Sequence, residues 1–239
     1  MPYNSDKDLR LKLPDNHDLK IWRYMDLAKF IDLIEKKSLY FSTLNELKDF
    51  FEGKYPSSIW NLRSEKEFKI KLEEIERKTK TMMTVNCWNL SEDESLGLWS
   101  VYVNGRGIAV ESTIGNLINS LHDTSEDIEM GLVRYIDYKI DMIDKKNIYD
   151  LVSYKRRLFE FEHEIRLFFQ KEKINKNQIK KKGTYIRVDL KKLITRIILS
   201  PSSQAWYKEV IEDILREHRL TKLIKNVNFS ELDEKREIF

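Results

Sequence analysis

Glutamates at positions 162 and 164 and an arginine at 166 recur at every second position of Phe161-Glu-His-Glu-Ile-Arg-Leu-Phe-Phe169. On an extended strand, that spacing places the three ionic groups on one face and Phe161, Ile165, Leu167 and Phe169 on the other. Two carboxylates on a strand face can hold sugar hydroxyls and stabilise a sugar centre that becomes cationic. The same spacing also builds a surface ladder in which Arg166 neutralises a glutamate. Glu164 and Glu162 are therefore catalytic candidates, with Arg166 as a ligand-binding neighbour. Lys155, Arg156 and Arg157 precede them at the end of a helix expected over about 146–158. They form either a phosphate-facing basic patch or a solvated helix end.

Other residues offer complementary chemistry. Arg23 lies between Trp22 and Tyr24, and its planar fork suits a phosphate or carboxylate as well as it suits a strand-edge salt bridge. Ser42 and Thr43 can position a ligand hydroxyl or cap the turn that follows. Asp49 and Glu52 flank Phe50 and Phe51 just before Gly53. Loops that combine acids with aromatics line pockets, though the rings serve equally as a plug. Together with Glu164, these two acids would offer oxygen ligands to a hard metal, but no spacing specifies such a site, and none is assigned. Trp99 and Tyr102, three apart on a short helix, can stack on a planar ring or fill a core. Asn104-Gly-Arg-Gly107 matches neither the dinucleotide fingerprint nor the P-loop and reads as a turn.

The elements that position these groups follow from periodicity and caps. A strand is expected over 20–24, then a helix capped by Asp26 and carrying Leu27, Phe30, Ile31 and Ile34, then a strand over 39–43. A highly charged helix follows Pro56 and Ser57 to about residue 80, and a strand covers 81–89. Ser91 with Glu94 forms a capping-box pattern ahead of Leu98, Trp99 and Tyr102. Further strands are expected at 108–111, 131–138, 184–188, 196–199 and 222–227, with helices near 114–121 and 204–217. The lysine-rich run 171–182 reads as an exposed hairpin connection. The expected architecture is α+β: one mixed α/β domain over 1–239 with a central, largely antiparallel sheet flanked by helices. Its core runs over about 20–228, between an N-terminal extension (1–19) and a C-terminal tail (229–239).

Composition narrows the class. With 35% charged and 41% hydrophobic residues and only 7 Gly and 4 Pro, the chain reads as a folded globular protein rather than a disordered one. A net charge of +3 leaves nucleic-acid binding to local patches such as Lys155, Arg156 and Arg157. Cys87 is the single cysteine, so no intrachain disulfide can form and a reducing compartment fits. No apolar run approaches the ~20 residues of a membrane span, and residues 1–8 lack a secretory signal's apolar core, so the expectation is cytoplasmic.

Several fragments follow one another in a recognisable order: Trp22-Arg-Tyr, Leu39-Tyr-Phe-Ser, Glu46-Leu-Lys-Asp-Phe-Phe-Glu-Gly53, Cys87-Trp-Asn, Leu98-Trp-Ser-Val-Tyr102, Gly105-Arg-Gly-Ile-Ala-Val-Glu111 and Phe159-Glu-Phe-Glu-His-Glu-Ile-Arg166. In this order they resemble the bacterial family known as domain of unknown function 2971, which brings no established activity. Arg on a first strand, Ser on a second and Glu-x-Glu on a later one also resembles the ADP-ribosyltransferases at the level of fold. That resemblance implies NAD as a substrate, with Arg23 on its ribose or phosphate and Ser42 shaping the nicotinamide-ribose pocket. It implies Glu164 on the ribose 2′-hydroxyl, Glu162 orienting the acceptor, and Trp99 or Tyr102 stacking on nicotinamide. A toxin or phage-defence enzyme is the first expectation. The alternatives are a nucleic-acid- or protein-binding module of a defence or mobile-element system, and a metal-dependent nuclease using Asp49, Glu52 and Glu164.

Overall fold

A computed structural model describes residues 13–62, 64–103, 105–121, 124–143, 148–171 and 183–233. The N-terminal extension up to residue 12, Asn104, most of the lysine-rich run (172–182) and the tail beyond residue 233 lie outside the described residues.

In chain order the elements are β1 (Lys20–Asp26), α1 (Leu27–Lys36), β2 (Ser38–Thr43), α2 (Ser57–Trp60), α3 (Lys66–Met82), β3 (Met83–Leu90), α4 (Leu96–Tyr102), β4 (Gly107–Thr113), α5 (Ile114–Ser120), β5 (Glu129–Leu132) and β6 (Arg134–Ile136). There follow α6 (Ile148–Ser153), β7 (Tyr154–Arg156), β8 (Glu164–Gln170), β9 (Thr184–Arg187), α7 (Leu190–Leu193), β10 (Arg196–Leu199), α8 (Ala205–Glu217) and β11 (Val227–Phe229). The fold is α+β, with a mixed, mostly antiparallel sheet and several helices. No helix among the described residues is long and apolar enough to cross a membrane.

The chain divides into two compact units. The first takes residues up to 14, 40–87 and 125–185; the second takes 15–39, 88–124 and 186–239. In the second unit, β1 runs antiparallel to β4 along its length, with Lys20 opposite Thr113 and Asp26 opposite Gly107. β4 pairs antiparallel with β10, which pairs parallel with β11. Asp26 caps α1 by accepting from the Lys29 amide at 2.8 Å, and the stripe Phe30, Leu33 and Ile34 is buried, as the periodicity requires. The core joins Trp22, Tyr24, Leu98, Trp99, Val103, Ala109 and Ile198. The cap of α4 differs from expectation. Ser95, not Ser91, accepts from the Leu98 amide, while the Glu94 carboxylate receives Trp99 Nε1 at 3.0 Å. The strand expected over 222–227 is a 3₁₀ segment (Thr221–Asn226) that leads into β11.

In the first unit, the leading half of β3 pairs antiparallel with β2, Ser42 opposite Val85 and Thr43 opposite Thr84. β8 pairs with β3 and, antiparallel, with β5, placing Gly131 opposite Arg166. The helix expected over 146–158 proves shorter. α6 ends at Ser153, and Tyr154–Arg156 is a strand paired parallel with β6, Tyr135 opposite Lys155. Lys and Arg favour helices intrinsically, but pairing with a strand some twenty residues earlier overrides that local preference. A 3₁₀ segment (Arg157–Glu162) then leads into β8.

Candidate functional site

β8 is buried along nearly its whole length, so it has no solvated face to carry a ladder. Glu164 is 3% exposed and Arg166 is 0% exposed, facing the same side as Phe168, which packs with Leu44, Met83, Val85 and Val152. Ile165, Leu167 and Phe169 bury the other side as expected. Phe161 does not join them: it lies on the 3₁₀ segment and is largely exposed. Glu162 is likewise not on the strand. His163 between the two glutamates adopts a left-handed conformation (φ 37°), and this turn brings both carboxylates to one lysine despite the change of element.

That lysine is Lys155 of β7. Its ammonium donates to Glu162 and, at 2.9 Å, to Glu164, and lies 3.4 Å from Glu52. Arg166 donates from Nε to Glu164 at 2.6 Å, and from Nη1 to Glu52 at 2.9 Å and to the Val152 carbonyl at 2.6 Å. Its Nη2 is buried without a hydrogen-bond partner. The Tyr135 hydroxyl accepts from the Glu164 amide at 2.8 Å, and the Cys87 thiol hydrogen-bonds to the Glu164 carboxylate. Three buried carboxylates thus face two buried cations.

The environment divides the acids. Burial alone would raise the Glu164 carboxyl, but Arg166 and Lys155, with hydrogen bonds from Arg166 and Cys87, hold it down at about 2. For Glu52, burial outweighs the attraction of Arg166 and Lys155, Glu164 adds repulsion, and the carboxyl moves above its usual 4.5. Burial works against charge on Lys155 as well, yet Glu164 and Glu52 more than offset it and raise its pKa. Burial pushes the Cys87 thiol up, with Glu164 adding to it, so the cysteine is a hydrogen-bond donor rather than a nucleophile.

A second pairing flanks the first. Arg156 meets Asp49 at 2.7 Å and 3.0 Å, and its guanidinium lies 4.5 Å from the Phe51 ring centre and 5.4 Å from that of Phe159. Phe51 stands edge-on to Tyr138 at 5.6 Å. The Phe159 ring centre lies 5.2 Å from the Lys155 ammonium, so aromatic rings border the buried charges; Phe50, Leu158 and Phe161 nearby in the chain are substantially exposed. Gly53 closes the acidic loop at φ 73°, where an added Cβ would come within 2.9 Å of Leu44 Cδ1.

Among the expected site residues, Glu52, Lys155, Glu162, Glu164 and Arg166 share this cluster, and Asp49 with Arg156 adjoins it. Ser42 belongs to the same unit on β2, while the neighbouring Thr43 caps the following turn with Glu46. Arg23, Tyr24, Trp99 and Tyr102 belong to the other unit. There Arg23 lies 5.9 Å from the Trp88 ring centre, and Tyr24 and Trp99 are core residues in edge contact at 5.0 Å. Tyr102 is partly exposed. Lys155 and Arg156 are committed to carboxylates and do not form an open basic patch; exposed Arg157 lies 3.4 Å from Asp141. No group of three or more His, Cys, Asp or Glu among the described residues is arranged to hold a metal ion, since Asp49 and Glu52 turn to Arg156 and Arg166 instead. Tyr135, Tyr138 and Cys87 were not legible as cluster members, because nothing in their local spacing announces contact with a strand elsewhere in the chain.

No family model, curated protein or solved structure matches this chain.

Proposed function

We propose that the chain is an enzyme acting on a nucleotide-type ligand in the manner of ADP-ribosyltransferases, with NAD as substrate and the Glu52–Lys155–Glu162–Glu164–Arg166 cluster as its centre. The observation that carries this reading is the convergence of the buried carboxylates Glu52, Glu162 and Glu164 on Lys155 and Arg166 in a place bordered by aromatic rings. Negative charge is worth most where water is excluded, and a departing nicotinamide leaves a sugar centre that becomes positive. Phe51, Phe159 and Phe161 supply flat surfaces of the kind a planar base stacks on. Glu164, held ionised by Arg166 and Lys155, is the electrostatic residue. Glu162 is the less enclosed carboxylate, with a side chain 8% exposed against 3% for Glu164, and it takes the acceptor-facing role. Membership of the domain of unknown function 2971 family is part of the same proposal and rests on the fragment order alone.

The test is NAD consumption by wild type, Glu162→Gln and Glu164→Gln, with protein and nucleic-acid acceptors supplied. Loss of one electrostatic group in such a site lowers turnover by roughly 10²–10³-fold. A purified protein that neither binds nor cleaves NAD would end this reading.

A further inference from the structure

We infer that Lys54 and Lys80, gathered on the Phe50 ring, form a binding site for single-stranded nucleic acid, with the ammoniums on backbone phosphates and the rings of Phe50 and Phe51 on bases. The Lys54 ammonium lies 3.3 Å from the centre of the Phe50 ring and the Lys80 ammonium 4.7 Å. Lys80 is held there because it donates to the Phe50 carbonyl at 2.8 Å, which ties the acidic loop to the last turn of α3. Neither lysine makes an ion pair with a described residue. The acids within electrostatic reach of Lys80 are Glu76, Asp49 and Glu52, and Glu76 is also within reach of Lys54. Each of the three is engaged elsewhere. Glu76 accepts from the Tyr55 amide at 2.9 Å and from Trp60 Nε1 at 3.2 Å, Asp49 faces Arg156, and Glu52 faces Arg166. Two like charges thus share one ring, and a phosphate oxygen is the partner that would relieve both.

The same alternation of ring and cation continues along the first unit. Phe51 stands edge-on to Phe50 at 6.1 Å, and the Arg156 guanidinium lies between the Phe51 and Phe159 rings at 4.5 Å and 5.4 Å from their centres. Phe50 is 69% exposed and Phe51 38%, so both rings offer surface to a ligand. Cations that follow a phosphate backbone, interleaved with rings on which bases stack, are the means by which single strands are held. A duplex keeps its base faces inside the stack, and an acidic peptide has no flat faces to present. A single strand is the ligand that uses both halves of the pattern. The phosphate-facing patch expected at Lys155, Arg156 and Arg157 is thereby moved to two lysines that the sequence separates between a loop and a helix. The inference concerns binding of a polymer and does not depend on NAD being the substrate.

Fluorescence anisotropy with a labelled single-stranded oligonucleotide, titrated at several salt concentrations, tests the site. Replacing both Lys54 and Lys80 by Gln should weaken binding roughly twentyfold near 0.1 M salt and make the log–log salt slope shallower by about 1.4. Replacing Lys71 and Lys78 by Gln removes the same charge from the side of α3 turned away from Lys80, and should change affinity by no more than about twofold. Phe50→Leu should cost at least about fivefold with the slope unchanged, since a base loses its ring but no phosphate loses its cation. Lys54→Gln alone, expected to cost about fivefold, carries the test should the double variant fail to fold. Absence of binding by the wild type, equal losses in the two double variants, or no loss in Lys54→Gln overturns the site. Equal affinity for a duplex of the same length, or unchanged affinity in Phe50→Leu, overturns the single strand as its ligand.

Discussion

The two units handle buried charge in opposite ways. In the second, Glu111 of β4 stands opposite Arg196 of β10 and accepts from its Nε at 2.8 Å; that cation, with a side chain 35% exposed, also lies 3.6 Å from the exposed Glu231. The strands around that pair are otherwise apolar, from Ile108, Ala109 and Val110 to Ile197, Ile198 and Leu199. In the first unit, the leading half of β8 carries Glu164 and Arg166 into full burial, with Lys155, Glu52 and Glu162 around them. An ion pair at a partly wet edge needs no function to explain it. A dry cluster of five charged side chains is expensive to maintain and marks the place where chemistry is worth looking for.

Mutations can break that contrast in order of size. Arg166→Met should be the most damaging, because it removes the buried cation that Glu52 and Glu164 share; a loss of about 3–5 kcal/mol is expected, read from the denaturant midpoint. A loss under ~1 kcal/mol would make the cluster resemble the Glu111–Arg196 pair and erase the distinction. Acid should discriminate next. The Glu164 carboxyl lies below its ordinary value when folded, so its contribution is complete above about pH 4.5 and drains away as pH falls toward about 2. Glu52 has the opposite sign: with a raised folded value, it binds its proton more tightly when folded, so that contribution shrinks as pH rises above 4.5. Amide exchange protection along β8 should therefore fall on acidification, and Arg166→Met should flatten that response; an unchanged slope would contradict it.

Smaller effects sharpen the same comparison. A double-mutant cycle between Glu111 and Arg196 should return about 1 kcal/mol or less, in keeping with a partly exposed pair. A coupling as large as that between Glu164 and Arg166 would mean that exposure does not separate the two. Least of all should be Phe161→Ser, a residue 46% exposed whose ring costs within ~0.5 kcal/mol of stability when removed. On the proposed reading its effect appears instead in weaker NAD binding by calorimetry, and unchanged affinity would remove that ring from the site.

Much of the scaffold was visible locally. Asp26 and the Phe30, Ile34 stripe announced α1, the apolar alternation announced β1 and β4, and Gln204 to Glu217 announced α8, because caps and periodicity are short-range signals. The acidic and basic members of the cluster were also visible as types, including Glu52, Glu162, Glu164 and Arg166. Their arrangement was not. Glu52 and Arg166 are 114 residues apart, and no local pattern says that a loop acid will meet a strand arginine. Lys155 read as part of a helix end, either a phosphate-facing patch or solvated, because its strand partner lies twenty residues back. Glu162 read as a strand residue because period-two spacing continued through His163, where the backbone in fact changes conformation.

That left-handed residue has a consequence for how the chain can vary. It couples a segment of about three residues per turn to one of two residues per repeat, and with that change of phase the acids on either side of it still meet one lysine. Many side chains can be exchanged at His163, since its own is exposed, with Asn or Gly the most comfortable in that conformation. Length is another matter: adding or deleting one residue between Glu162 and Glu164 would rotate one acid away from Lys155. Variation here should therefore be free in letter and fixed in count.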